Sequence, residues 1–182
     1  FIGNANVRLR PGNDGTYFNG YAYNVGIPSY ELGAEGGRQG KWGLNASYQQ
    51  IPRYQFDDTR FVFDGLGSSR LTLPAGFPGL AGQPPTQAAA IDPYLREYDV
   101  DTKRDILKVG GKAALGGGFD VSISYRQDDR DGSKLVGAVM GNSGGNPRSV
   151  IVPYPISDKT QQIEAAVHWS SKDAQATLAY WY

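Results

Sequence analysis

This 182-residue sequence predicts an all-β fold, a set of antiparallel strands forming a segment of a transmembrane β-barrel. Three observations lead there. Apolar and polar residues alternate in eight runs, tight turns alternate with long connections, and aromatic residues stand near the ends of the runs. Successive strand side chains point to opposite faces, so each run has one apolar and one polar face.

In the first run, Ala5, Val7 and Leu9 oppose Asn4, Asn6, Arg8 and Arg10, and Pro11-Gly12-Asn13-Asp14-Gly15 is dense turn chemistry. Tyr17–Val25 places Tyr17, Tyr21, Tyr23 and Val25 on one parity, with Asn19 the exception, and Gly26-Ile27-Pro28 turns the chain. Next comes a hairpin, 29–54. Tyr30, Leu32 and Ala34 oppose Glu31, Gly33 and Glu35, and a Gly36–Gly40 turn follows. Trp42, Leu44, Ala46 and Tyr48 then oppose Lys41, Gly43, Asn45, Ser47 and Gln49. Regularity stops over 51–102, which holds most of the prolines and the small-residue stretch Pro84–Ala90. A connection of that length inside a domain is usually functional or disordered.

Alternation returns over 103–115, where Leu107, Val109, Ala113 and Leu115 oppose Lys108, Gly110, Lys112 and Ala114. After Gly116-Gly117-Gly118, Phe119, Val121, Ile123 and Tyr125 oppose Asp120, Ser122, Ser124 and Arg126. A second long connection, about 129–159, is rich in Gly, Asn, Pro and charge. The last hairpin sets Ile163, Ala165, Val167 and Trp169 against Gln162, Glu164, Ala166 and His168. It turns at Ser170–Asp173 and ends on Ala176, Leu178, Tyr180 and Tyr182.

Composition narrows the function classes. Lys plus Arg and Asp plus Glu both number 18, so no global charge points to nucleic acid. With no cysteine, the chain cannot form disulfides, thiolate metal sites or a covalent haem attachment. No apolar run is long enough for a membrane helix, and the overall polarity suits barrel strands, which are only half apolar. The opening Phe1-Ile2-Gly3-Asn4 has no signal-peptide pattern, and Phe1 implies a mature, trimmed or partial chain.

A soluble sandwich also alternates, so periodicity alone leaves a soluble all-β binding domain open. Connection lengths and aromatic bands favour the membrane. Turns at 37–40, 116–118 and 170–173 are short while 51–102 and 129–159 are long, as in barrels with short periplasmic turns and long outer loops. Tyr17, Trp42, Phe119 and Trp169 flank the short turns, and Tyr23, Tyr30, Tyr48 and Tyr125 lie near the other ends. Rings at both ends of the apolar faces match two membrane–water interfaces. The lipid face is therefore expected to comprise Tyr30, Leu32, Trp42, Leu44, Tyr48, Leu107, Val109, Phe119, Val121, Ile123, Tyr125, Ile163, Val167 and Trp169. Arg8, Arg10, Glu31, Glu35, Lys41, Asn45, Lys108, Lys112, Asp120, Arg126, Glu164 and His168 are expected to face the lumen, toward a partner or water.

The order of several motifs resembles a known family. Tyr30-x-Leu32, Gly36-Gly37, Gly40-Lys41-Trp42, Leu44, Tyr48 and Ile51-Pro52 come first. Gly65, Gly67 and Leu71-Thr72-Leu73-Pro74-Ala75-Gly76-Phe77 follow. Later come Gly137-Ala138, Gly141, Gly144-Gly145-Asn146 and Val150-Ile151-Val152-Pro153. Together they resemble the decahaem-associated outer-membrane barrels of the MtrB/PioB type. That resemblance implies a location in the bacterial outer membrane and a barrel that sheathes a multihaem c-type cytochrome. The cytochrome carries electrons across the membrane, often to an extracellular cytochrome. The family's barrels are much longer than this chain, and an eight-stranded barrel fills its interior with side chains. The resemblance thus implies about eight strands of a larger barrel, with no cofactor of its own and haem carried by the partner. A porin-like channel for small solutes is the alternative.

Other chemistry finds little support in the residues. His168 is the single histidine and has no ligand partners in sequence. Asp99, Asp101 and Asp105, and Asp128, Asp129 and Asp131, miss the calcium-loop spacing. Gly36–Lys41 lacks the spacing and following helix of a phosphate loop, and no nucleophile–base–acid set is present, so no enzyme is expected.

Overall fold

In a computed structural model, residues 1–78, 90–143 and 146–182 are described. The side chains of 140–143 and 146–148 are not, and Pro84–Ala89 and Gly144-Gly145 lie outside the described residues. Ten strands form. They are β1 (Gly3–Leu9), β2 (Thr16–Val25), β3 (Glu31–Arg38), β4 (Trp42–Phe56), β5 (Arg60–Phe61), β6 (Arg96–Glu97), β7 (Val100–Gly116), β8 (Phe119–Ser143), β9 (Asn146–Ser170) and β10 (Gln175–Trp181). A single sheet takes eight of them in the order β1-β2-β3-β4-β7-β8-β9-β10. Strands adjacent in that sheet follow each other along the chain once the β5–β6 pair is set aside, so the sheet is a meander. It is open, with β1 and β10 at its two edges.

Turn chemistry sets the register. Gly40 takes φ 70° between β3 and β4, and Arg38 then faces Trp42, Gly36 faces Leu44, and Leu32 faces Tyr48. Glycine meets no steric penalty at positive φ, which is why these tight connections are glycine-rich. Asp14 stabilises the β1–β2 turn, where its carboxylate accepts the Thr16 N–H (3.1 Å), and hydrogen bonding from the Thr16 side chain, then from that N–H, holds its pKa below the usual carboxylate value.

The chain divides into two compact units. The first, Phe1–Pro52, Arg104–Asp129 and Asp158–Tyr182, holds β1, β2, β3 and β10 with parts of β4, β7, β8 and β9 of that sheet in a single layer. Among its described residues Ile106 is the sole buried hydrophobic side chain, while Leu44 and Ile123 are each 60% exposed and Leu178 is 77% exposed. The second unit, Arg53–Lys103 and Arg130–Ser157, holds an ordinary apolar core. Phe61, Phe63 and Val100 are buried together there, with Leu71, Leu73, Leu135, Val150 and Val152 packed against them.

The two long connections are more regular than expected. β4 continues through Pro52 to Phe56, and residues 57–102 contain β5, β6, a short 3-10 turn at Asp92–Tyr94 and part of that apolar core. Residues 129–159 are mostly strand, since β8 runs to Ser143 and β9 starts at Asn146. Pro153 and Pro155, which remove ladder donors, together with a dense run of charge, mask the strand signal in that stretch.

Candidate functional site: the polar face of the sheet

The pairing register sorts the side chains of the first unit onto two faces. Leu32, Ala34 and Gly36 sit across from Tyr48, Ala46 and Leu44, and Ala22, Gly20 and Phe18 sit across from Leu32, Ala34 and Gly36. Trp169, Val167 and Ala165 pair with Ala176, Leu178 and Tyr180. Phe119 and Trp169 touch at a ring-centroid distance of 6.3 Å, and Tyr30 and Tyr48 at 5.8 Å. Of the expected lipid-facing set, the register places Leu32, Trp42, Leu44, Tyr48, Val167 and Trp169 on this face, and the Phe119 ring meets Trp169 there. From Trp42 to Tyr48, or from Phe119 to Tyr125, six residues span about 20 Å of strand. That is the order of the ~25 Å apolar band of outer-membrane barrels.

Beyond Tyr125 the same face turns polar. Tyr125 Oη donates to Gln127 Oε1 (2.8 Å), Gln161 Nε2 donates to Tyr125 Oη (2.7 Å), and Gln127 Nε2 donates to Asp129 (2.5 Å). Tyr48 Oη donates to Asp105 at 2.8 Å. The aromatic ends are thus tied to hydrogen-bonding groups, which suits rings whose tips are wet.

The opposite face carries Arg8, Glu31, Glu35, Asn45, Glu164 and His168 by register, and Lys112 lies over Gly43 of the same face. Arg10 donates to Asn19 Oδ1 (3.1 Å), which lies beside Arg8 in the register, and Asn19 Nδ2 donates to Glu35 (2.5 Å). From β2 to β10, a hollow of about 700 Å³ is lined by Glu35, Asn45, Lys108, Lys112, Ser122, Ser124, Arg126, Glu164 and Trp181, with Leu44, Val109 and Ile123 of the other parity also in its lining. A second, of about 620 Å³, is lined by Lys41, Lys112, Asp120 and His168 among others. A hollow whose lining is drawn from strands β2 through β10 requires that the polar face be concave. Its charges are unequally engaged. Glu31 accepts from Tyr21 (2.9 Å), Glu35 from Asn19, and Glu164 from Gln162 (2.8 Å). Among the described residues, the side chains of Arg8, Lys41, Lys108, Lys112 and Asp120 have no hydrogen-bond or ion-pair partner.

Arg104 and Arg126 both grip Asp128, the latter at 3.0 Å. Asp128 lies past the apolar band, and the Arg104 hydrogen bond, ahead of the weaker Arg126 bond, keeps its carboxyl below the ordinary range despite burial. His168 Nδ1 meets Thr177 Oγ1 at 2.7 Å, and among the described residues no cluster of three or more metal-ligating side chains forms. His168 is a strand residue with a hydroxyl neighbour.

One sequence expectation is corrected. Tyr17 and Tyr23 do not belong to an aromatic band on the apolar face. Tyr17, Asn19, Tyr21 and Tyr23 sit across from Gly37, Glu35, Gly33 and Glu31, on the polar face. Asn19 is therefore the rule of that parity rather than its exception. The Tyr21 ring lies directly over Gly33, where no Cβ could fit, and stacks on Tyr23 at 5.1 Å. Strand parity was clear, but the amphipathic tyrosine ring gave it no sign. The cue was in the hairpin register, which places glycines opposite tyrosines. Trp181, paired with Glu164, is a further polar-face residue that the sequence reading missed.

Comparison with known proteins agrees with this architecture. The sequence model of the MtrB/PioB family of outer membrane beta-barrel porins matches residues 2–182. A relative, the outer membrane protein MtrB of Shewanella baltica (strain OS185), is 26% identical over 174 residues. That alignment covers 92% of this chain and 24% of the relative, so the chain spans about a quarter of that protein's length.

Proposed function

Since the chain belongs to the MtrB/PioB family of outer-membrane β-barrels, we propose that its sheet walls a multihaem c-type cytochrome. The protein resides in the bacterial outer membrane. In this reading the apolar face meets lipid and the concave polar face meets the partner, whose haems carry electrons across the bilayer. This chain contributes position, docking and exclusion of lipid and water. It is not asked to catalyse a reaction.

The observation that carries the reading is the asymmetry of the first unit. Its apolar face has no second protein layer among the described residues, whereas its polar face encloses hollows of about 700 and 620 Å³. A soluble sandwich would bury the apolar face against another sheet. With β1 and β10 at open edges, the eight strands contribute an arc of a wider wall rather than a closed small barrel packed with side chains.

Purification of the full-length protein in mild detergent tests this. A haem-staining partner should co-migrate with the barrel. A barrel that carries no haem protein and passes small solutes across liposomes would overturn the sheath and leave the porin-like channel.

A further inference from the structure

We infer that Lys108 and Lys112, on the polar face of β7, form a docking strip for side-chain carboxylates on the luminal partner. The inference rests on the sheath reading above and deepens it. Both lysines project from one strand on either side of Gly110. The floor under Lys112 is the backbone of Gly43. Lys112 lays its stem over Gly43, with Cε 3.3 Å and Cγ 3.6 Å from the place a Cβ would occupy, and Asn45 Oδ1 stands 2.7 Å from the same place on Gly110. The glycines thus let the Lys112 stem lie close to the sheet, which leaves its ammonium free to meet a partner.

Charge complementarity identifies what the strip accepts. Glu35 and Glu164, which line the same hollow, are engaged by Asn19 at 2.5 Å and Gln162 at 2.8 Å. Arg126 is held by Asp128. Asp120 is the one lining carboxylate without a partner among the described residues, and it lines the second hollow, to which Lys112 and Lys41 also contribute. With Arg38 and Arg126 paired to Asp14 and Asp128, the two hollows are lined by Arg10, Lys41, Lys108 and Lys112 against Glu35, Asp120 and Glu164, so positive charge is in excess. A protein that fills the hollow strips water from both ammonium groups, and that desolvation is costly unless an anion replaces the water. A partner surface with carboxylates facing β7 meets that requirement and would fix its register in the barrel.

The test uses the full-length protein in native outer membranes and reads haem retained through purification at rising salt. Heat-modifiable migration reports barrel assembly for each variant. Wild type and the Lys108→Arg, Lys112→Arg pair should retain haem. The Lys108→Glu, Lys112→Glu pair should assemble but lose retained haem on the order of tenfold or more. If charge reversal blocks assembly, the Lys108→Gln, Lys112→Gln pair decides, and its haem should dissociate at lower salt than wild type. Equal retention on assembled wild-type and reversed barrels, or an unchanged salt midpoint for the glutamine pair, overturns the docking strip and leaves the sheath standing. Absence of haem on the wild type overturns both.

Discussion

Replacing Ile123 by arginine should destabilise the barrel in lipid by about 2–4 kcal/mol, measured by denaturant unfolding in vesicles. Ile123 stands on the apolar face, 60% exposed, between Val121 and Tyr125 on the same parity of β8. In water an exposed isoleucine exchanged for arginine would change stability by only about 0.5 kcal/mol. The size of the effect therefore identifies the solvent. Val121→Arg should behave alike, because both positions lie between the rings of Phe119 and Tyr125. Ser122→Arg, on the concave face, should cost far less. A neutral result at Ile123 would place this face in water or against a protein layer that tolerates charge.

Gly118→Ala should cost about 2–4 kcal/mol, and Gly117→Ala only about 1 kcal/mol, in the same unfolding measurement. Both glycines have positive φ, 82° and 63°. They differ in surroundings. A Cβ on Gly118 would run into the backbone carbonyl of Ser170, whose N–H donates to the Gly118 carbonyl at 2.9 Å. On Gly117 the nearest atom outside its chain neighbours is Phe119 Cδ2, at 3.9 Å. The first substitution adds backbone collision to backbone strain and loosens the β8–β9 register, while the second adds strain alone. Equal effects would show that the β8–β9 approach at this turn is looser than the structure has it.

The sheet was legible in the sequence wherever one face is apolar and the other polar. The run Phe119–Arg126 is the clearest case, and it falls within one strand, β8, with Phe119 against Trp169. Two things were not legible. Residues 129–143 and 146–159 are strand, with Leu135, Val150 and Val152 turned to the apolar core of the second unit, and Pro153 and Pro155 read as loop signals although β9 passes through both. The tyrosines of β2 were assigned to the wrong face because a ring with a hydroxyl fits either environment. Their hydroxyls and rings serve the polar face, with Tyr21 donating to Glu31 and lying over Gly33. For the site, the parity of Lys108, Lys112, Asp120 and Glu164 was readable in advance. Which of those charges is already satisfied was not, because that depends on cross-strand neighbours such as Asn19 and Gln162.

The central claim is that one face of this sheet meets lipid and the other meets a cytochrome. A single-cysteine scan across residues 119–126, in the full-length protein with any other cysteine replaced by serine, tests it directly. Positions 119, 121, 123 and 125 should report a lipid environment whether or not the partner is made. Positions 120, 122, 124 and 126 should react with a water-soluble maleimide in cells lacking c-type cytochromes and be protected in cells that make them. Even-numbered positions equally reactive in both would contradict the sheath, and loss of the alternation itself would contradict the barrel wall.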